Sequence, residues 1–207
     1  MDMRHHPFRI CGIALFILCT TACRPSGTQQ STSMSPRVEH LILNAKHGDG
    51  SSMYQLGRCY ELGDGVEQDM TVAVEWYTKA AGKGLDQAAL ELGNLFHLGE
   101  KVEHDPSRAF KWFRRAAELG STQGMLNTGV AYATGEGVEQ DDQMAMEWYL
   151  LAAEKGDIYA MHNIGWMYAN GEGVEADQTI AAEWMRKSAR FHYTPAQDWL
   201  AERGLDW

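Results

Sequence analysis

Cysteine, proline, long apolar runs and positive charge are all scarce in this chain. Four Cys in 207 residues exclude a dense disulfide scaffold. The apolar run Ile10 to Cys19 (ICGIALFILC) stops at ten residues, where a membrane-spanning helix needs about 20. Lys and Arg number 18 against 28 Asp and Glu, a net charge of −10. That balance excludes nucleic acid as the main partner, because phosphate binding needs clustered cations. It also excludes docking on anionic lipid through a basic face. Signatures of catalysis are missing too. There is no HExxH, no CxxC pair, no GxSxG elbow and no glycine-rich loop ending in Lys-Ser/Thr, so no zinc, nucleophile-elbow or phosphate-loop chemistry is indicated. No cofactor, metal or catalytic residue is expected. What remains is a composition 44% hydrophobic and 22% charged, that of an ordinary globular chain.

The first residues read as an address. Arg4 and Arg9 precede the ten-residue apolar run, and Thr20, Thr21 and Ala22 lead to Cys23. A basic start, a short apolar centre and small residues mark a secretory signal over 1–22. Residues 23–36 (CRPSGTQQSTSMSP) are rich in Ser, Thr, Gln and Pro and form a flexible tether. Once Cys11 and Cys19 leave with the signal, Cys59 is the one cysteine beyond Cys23.

Everything after the tether repeats every 36 residues. Trp76, Trp112, Trp148 and Trp184 keep that step, and so do Gly57, Gly93, Gly129 and Gly165. Gly63, Gly99, Gly135 and Gly171 follow it, as do Asp69, Asp105, Asp141 and Asp177. Such a period marks a stack of supersecondary units. Each unit reads as helix, Gly-containing loop, helix. Asp105 is placed to cap a helix whose first residue is Pro106, and Gly120 to end it. The units are drawn at 48–83, 84–119, 120–155 and 156–191, between capping half-repeats at 37–47 and 192–207. The Gly column at 57 is expected to let paired helix backbones approach. The Trp column and its neighbour (Tyr77, Phe113, Tyr149, Met185) are expected to fill the space between units, so that Trp112→Ala costs about 3–5 kcal/mol.

The strings LGRCYELGDGVEQDMTVAVEWYTKAAGKG, LGNLFHLGEKVEHDPSRAFKWFRRAAELG, TGVAYATGEGVEQDDQMAMEWYLLAAEKG and IGWMYANGEGVEADQTIAAEWMRKSAR resemble Sel1-like repeats, relatives of tetratricopeptide repeats with a longer loop. The resemblance implies an all-α fold, a right-handed α-solenoid of four full repeats with terminal half-repeats. The segment ending at Cys23 is similar to a bacterial lipobox, with Thr20 where that pattern prefers Leu. It implies lipidation of Cys23, and Arg24 rather than Asp implies outer-membrane sorting, with the chain facing the periplasm; a soluble periplasmic or secreted protein is the alternative.

Tetratricopeptide-like geometry also implies a concave wall built by one stripe of each first helix. That stripe holds Tyr54, Arg58 and Glu61; Leu90, Asn94 and His97; Leu126, Val130 and Ala133; and His162, Trp166 and Ala169. Trp166 departs most from its column and stands as a partner anchor, or else as a residue packed under the last helix against Trp199. The resemblance implies a non-enzymatic protein–protein interaction module. Its most specific form is an immunity protein against a type VI secretion phospholipase. The alternatives are a scaffold for envelope or exopolysaccharide machinery and, remotely, a β-lactamase-like penicillin-binding activity. That last activity belongs to relatives with a Cys pair in each repeat, a feature absent here. The partner is therefore expected to be another protein, with the membrane reached by the lipid alone.

Overall fold

A computed structural model describes residues 34–207. The signal segment 1–22, Cys23 and the tether as far as residue 33 lie outside the described residues. Among the described residues the fold is all-α, ten helices without a strand. A short helix α1 (Pro36–Lys46) comes first. Four pairs follow: α2 (Gly50–Leu62) with α3 (Met70–Gly82), α4 (Asp86–Leu98) with α5 (Pro106–Glu118), α6 (Thr122–Thr134) with α7 (Asp142–Glu154), and α8 (Ile158–Asn170) with α9 (Gln178–Ala189). Helix α10 (Thr194–Ala201) closes the stack. Each helix packs on the helices before and after it in the chain, the arrangement of a solenoid.

The boundaries follow from local chemistry. Asp69, Asp105, Asp141 and Asp177 each accept backbone N–H groups of the first turn of a second helix. Each also donates its own N–H to a carbonyl nine residues back, on Tyr60, Phe96, Tyr132 and Tyr168, at 2.9 Å. One bond thus closes every loop the same way. The first helices end at Gly63, Gly99, Gly135 and Gly171, whose φ of 66–73° is left-handed. Helix α1 starts within the expected tether: Ser35 is its N-cap and donates its N–H to the Gly65 carbonyl at 2.8 Å. At the other end Thr194 is already helical, and no side chain caps α10.

Two sequence expectations change. The Gly57 column makes room for a side chain more than for a backbone. A Cβ on Gly57 would lie 2.6 Å from ring carbons of Tyr77, and one on Gly129 2.6 Å from the Tyr149 ring. Gly93 faces the Phe113 ring in the same way. At Gly165 the ring is replaced by Met185 and the nearest approach relaxes to 3.1 Å, shared by the Met185 side chain and the Ala181 backbone carbonyl. The Trp column, in turn, is not the core. Tyr77, Phe113, Tyr149 and Met185, one residue further on, are at most 3% exposed. Trp76, Trp112, Trp148 and Trp184 are half-buried. Successive helical residues point about 100° apart. Only one of the two columns can enter the glycine notch, and the Trp is left at the edge of the core. Lysine ammoniums sit over two of these indoles, Lys79 at 4.3 Å from Trp76 and Lys187 at 3.5 Å from Trp184.

Phe113→Ala is accordingly expected to cost about 3–5 kcal/mol and Trp112→Ala clearly less, measured by urea unfolding. Gly93→Ala, which would overpack a rigid ring, should destabilise by about 1–3 kcal/mol. Gly165→Ala should cost less than Gly93→Ala, since its nearest contacts, Met185 and the Ala181 carbonyl, lie at 3.1 Å instead of 2.4 Å and Ala gains about 1 kcal/mol of helix propensity. Equal costs at the two glycines would refute the ring-in-notch account.

Candidate partner-binding face

The first-helix stripe divides into buried and open positions. Tyr54, Leu126, Val130 and His162 are between 3% and 9% exposed. Leu126, Val130 and His162 are thus too buried to form an open partner-contacting surface, whereas Tyr54 still lines the groove beside α2 described below. Tyr54 donates its hydroxyl across to Glu91 on α4 at 3.4 Å. His162 packs edge-on against the Tyr193 ring, with centroids 5.3 Å apart. Burial holds the His162 ring below its usual pKa, which favours the neutral form. Leu90, Asn94, Ala133 and Ala169 are half-buried, whereas Arg58 is exposed.

Charged members of the stripe tie one unit to the next. The Glu61 carboxylate accepts from the Tyr77 hydroxyl and pairs with Lys101 of the following loop at 2.7 Å. His97 pairs with Glu136 of the next loop at 3.0 Å. The His104 Nδ1–H donates to the His97 carbonyl at 2.7 Å. The two histidines thus serve loop geometry, and no group of three metal-ligating side chains occurs among the described residues.

Trp166 is half-buried against the cluster that holds Met185, Trp199 and Leu200 at the end of the stack. It is a wall of that terminal cluster more than a free anchor. The open ground lies at the opposite end. A groove of about 1050 Å³, solvent included, runs beside α2 and is lined by Arg37, Ser51, Tyr54, Gln55, Arg58, Leu62 and Asp64, with Gln87 from α4. Leu62 is 58% exposed there. Arg37 and Asp64 form an exposed pair at 2.7 Å. Cys59 lies under this groove, 2% exposed, and burial raises its thiol pKa. It is a free, buried thiol without the thiolate character that reactivity needs. Sequence reasoning found Arg58 but missed Gln55 and Leu62. They follow Tyr54 and Glu61 by one residue, so the open face is turned about 100° from the predicted one.

Four segments, residues 50–85, 86–121, 122–157 and 158–190, match the Sel1 repeat, and together they make up more than half of the chain. The chain belongs to the Sel1 repeat family. The matched Sel1 frame starts two residues after the one drawn from the sequence, a choice of phase in a periodic array. Sel1 repeats are protein-interaction modules, and their proteins are generally non-enzymatic scaffolds that bind other proteins.

Among solved structures the Sel1 chain is similar to c5321, a protective antigen of uropathogenic Escherichia coli. The identity is 43% and the TM-score 0.70, over 77% of this chain and 34% of that one. It is also similar to a Sel1 repeat protein from Oxalobacter formigenes, at 33% identity and TM-score 0.67, over 74% and 63%. A curated relative, DAP3-binding cell death enhancer 1 of Rattus norvegicus, is 41% identical over 51 residues. The chain spans about a tenth of that relative's length and a third of c5321.

One carboxylate of the face tests its electrostatics. Burial raises the Glu91 pKa first, and the nearby Glu61 charge adds to it, while Tyr54, Arg58 and Lys101 oppose the rise. A carboxyl with a raised folded pKa takes up protons more readily folded than unfolded. Its contribution therefore favours folding as pH falls through that pKa and opposes it above. Glu91→Gln, the amide counterpart of Asn127 and Asn163 in this column, should raise Tm at pH 7. The gain should shrink as pH falls through the titration of Glu91; a gain constant from pH 7 to pH 4 would place the effect elsewhere than in charge.

Proposed function

We propose that this Sel1 repeat protein binds a partner protein along the face formed by its first helices and catalyses no reaction on it. The open groove beside α2 carries this reading. It joins an exposed cation, Arg58, amides at Gln55 and Gln87 and an exposed Leu62 on one rigid support. Polar and apolar groups mixed on a pre-formed surface are what a protein partner engages with little ordering cost.

The chain works at the envelope, held by lipid at Cys23 on the periplasmic side of the outer membrane. The basic start, the short apolar run and Arg24 support that placement. A tether to the membrane raises the effective concentration for a membrane-proximal partner. The most specific form of the reading is an immunity protein that neutralises a type VI secretion phospholipase-type effector. A short array, an acidic net charge of −10 and an envelope address suit that role.

The test is affinity capture from envelope extract with the full chain as bait, beside Arg58→Glu, read by mass spectrometry. Arg58 is exposed but offsets the nearby Glu91 charge, so the variant should stay folded with a modestly lower Tm while partner recovery falls by about tenfold or more, as for a charge reversed at a binding site. Recovery unchanged by the reversal would remove the groove from the reading. A lipase-like partner whose toxicity the chain suppresses establishes immunity; a polymer-export component establishes the scaffold. Nitrocefin turnover lost with a groove substitution would instead restore the penicillin-binding alternative. Labelling with radioactive palmitate should be lost in Cys23→Ser, and labelling that persists there would overturn the anchor.

A further inference from the structure

The exposed face of the second helices repeats with the array, and one unit reverses its charge. The residue before each Trp is Glu75, Glu147 and Glu183 in three units and Lys111 in the second. All four are exposed. One turn further along α5, Arg114 and Arg115 share a single carboxylate, Glu118, at 3.1 and 3.6 Å. Three cations thus face solvent against one anion, in a chain whose net charge is −10. At physiological salt, charges more than about 8 Å away are largely screened. A segment lying on α5 therefore meets this local excess and little of the acidic remainder.

The next unit departs in another way. Leu150 and Leu151 occupy the columns of Arg114 and Arg115, where the remaining units hold Thr, Arg or Lys. They are 37% and 43% exposed. A lone exposed Leu is ordinary. Two side by side, with Leu151 one turn from the half-buried Trp148, make an apolar patch. Glu147 and Glu154 bracket that patch along the helix, three and four residues away. Both α5 and α7 pack on α6, so their axes stand no more than two helix spacings apart, about 20 Å. An extended segment of eight residues spans about 26 Å and reaches from one helix to the other.

We propose that the exposed faces of α5 and α7 form a second protein-docking surface, for a partner segment that sets acidic side chains over Lys111, Arg114 and Arg115 and apolar side chains over Leu150 and Leu151. The surface shares no residue with the groove beside α2, and it goes beyond the reading above by giving the chain two places to hold a protein. An apolar contact within a charged rim is the common anatomy of a protein interface. The cations steer the segment and fix its register, since a basic segment on α5 would meet like charge. An anionic bilayer fits less well. It would bring its phosphates onto Glu147 and Glu154 wherever Leu150 and Leu151 entered it, whereas a protein segment carries its acids over α5 alone.

The test reads the indole N–H resonances of Trp112 and Trp148 in the ¹⁵N-labelled full chain, assigned with Trp112→Phe and Trp148→Phe. The probe is the peptide acetyl-Glu-Asp-Glu-Gly-Ser-Gly-Leu-Leu amide. It should shift both resonances saturably and leave that of Trp76 in place. Replacing its acids by Lys, or its two Leu by Ser, should weaken it by about tenfold. Lys111→Glu installs the residue of the other three units, so Tm should hold while the peptide binds about three- to tenfold more weakly. Leu151→Ser should act in the same way, and Arg58→Glu should leave the peptide bound. Equal shifts from the Lys or Ser peptide, a Trp76 that moves with the others, or indifference to Lys111→Glu would each overturn the docking surface. Loss of the peptide with Arg58→Glu would overturn it too, by moving the contact to the groove. Phosphatidylglycerol vesicles bound in a Lys111-dependent way, with both indoles unmoved by the peptide, would make the occupant a lipid surface and sink the proposal.

Discussion

An aromatic ring seated in a glycine notch is the contact on which this molecule depends. In three of four units the second helix presses Tyr or Phe onto a first-helix glycine so closely that even a methyl group would collide. The contact fixes the distance between the paired helices and their rotation. That rotation decides everything further out. It sends the neighbouring Trp to the edge of the core, turns Gln55, Arg58 and Leu62 outward, and brings the stripe of Tyr54, Leu126 and His162 inward. In the last unit Met185 replaces the ring and the notch loosens. A flexible side chain is adequate there because α10, with Trp199 and Leu200, closes the cluster from the other side.

Around this fixed frame the junctions vary freely. The same positions hold Glu, His and Ala on one column, and Glu, Asn and Asn on the next. Two junctions are closed by their own side chains, one through a Tyr–Glu–Lys chain and one through a His–Glu pair. The third sets the buried Tyr149 hydroxyl beside the Asn163 amide. A repeat array can vary one junction without changing the others because each unit contacts only its neighbours.

Much of the fold was legible because it is local. The Asp column announced the starts of the second helices, and the Gly column at 63 the ends of the first, since capping acts within a turn. The Pro106 start and the terminal half-repeats were legible for the same reason. The site was legible only in part. Arg58 and Trp166 stood out by departing from their columns. Leu62 and Gln55 gave no such sign, and the burial of Leu126 and Val130 looked no different in sequence from exposure.

The sequence by itself determined the number of units, their caps, their loops and the family, because each rests on a spacing of 36 residues or on contacts a few residues long. Tertiary structure alone decided which of two adjacent aromatic columns is core, and which face of the first helices remains open. It alone decided that the Tyr149 hydroxyl is buried beside the Asn163 amide. Those depend on the rotation of one helix against another, and a shift of one residue, about 100° of turn, is invisible to a periodicity that all columns share.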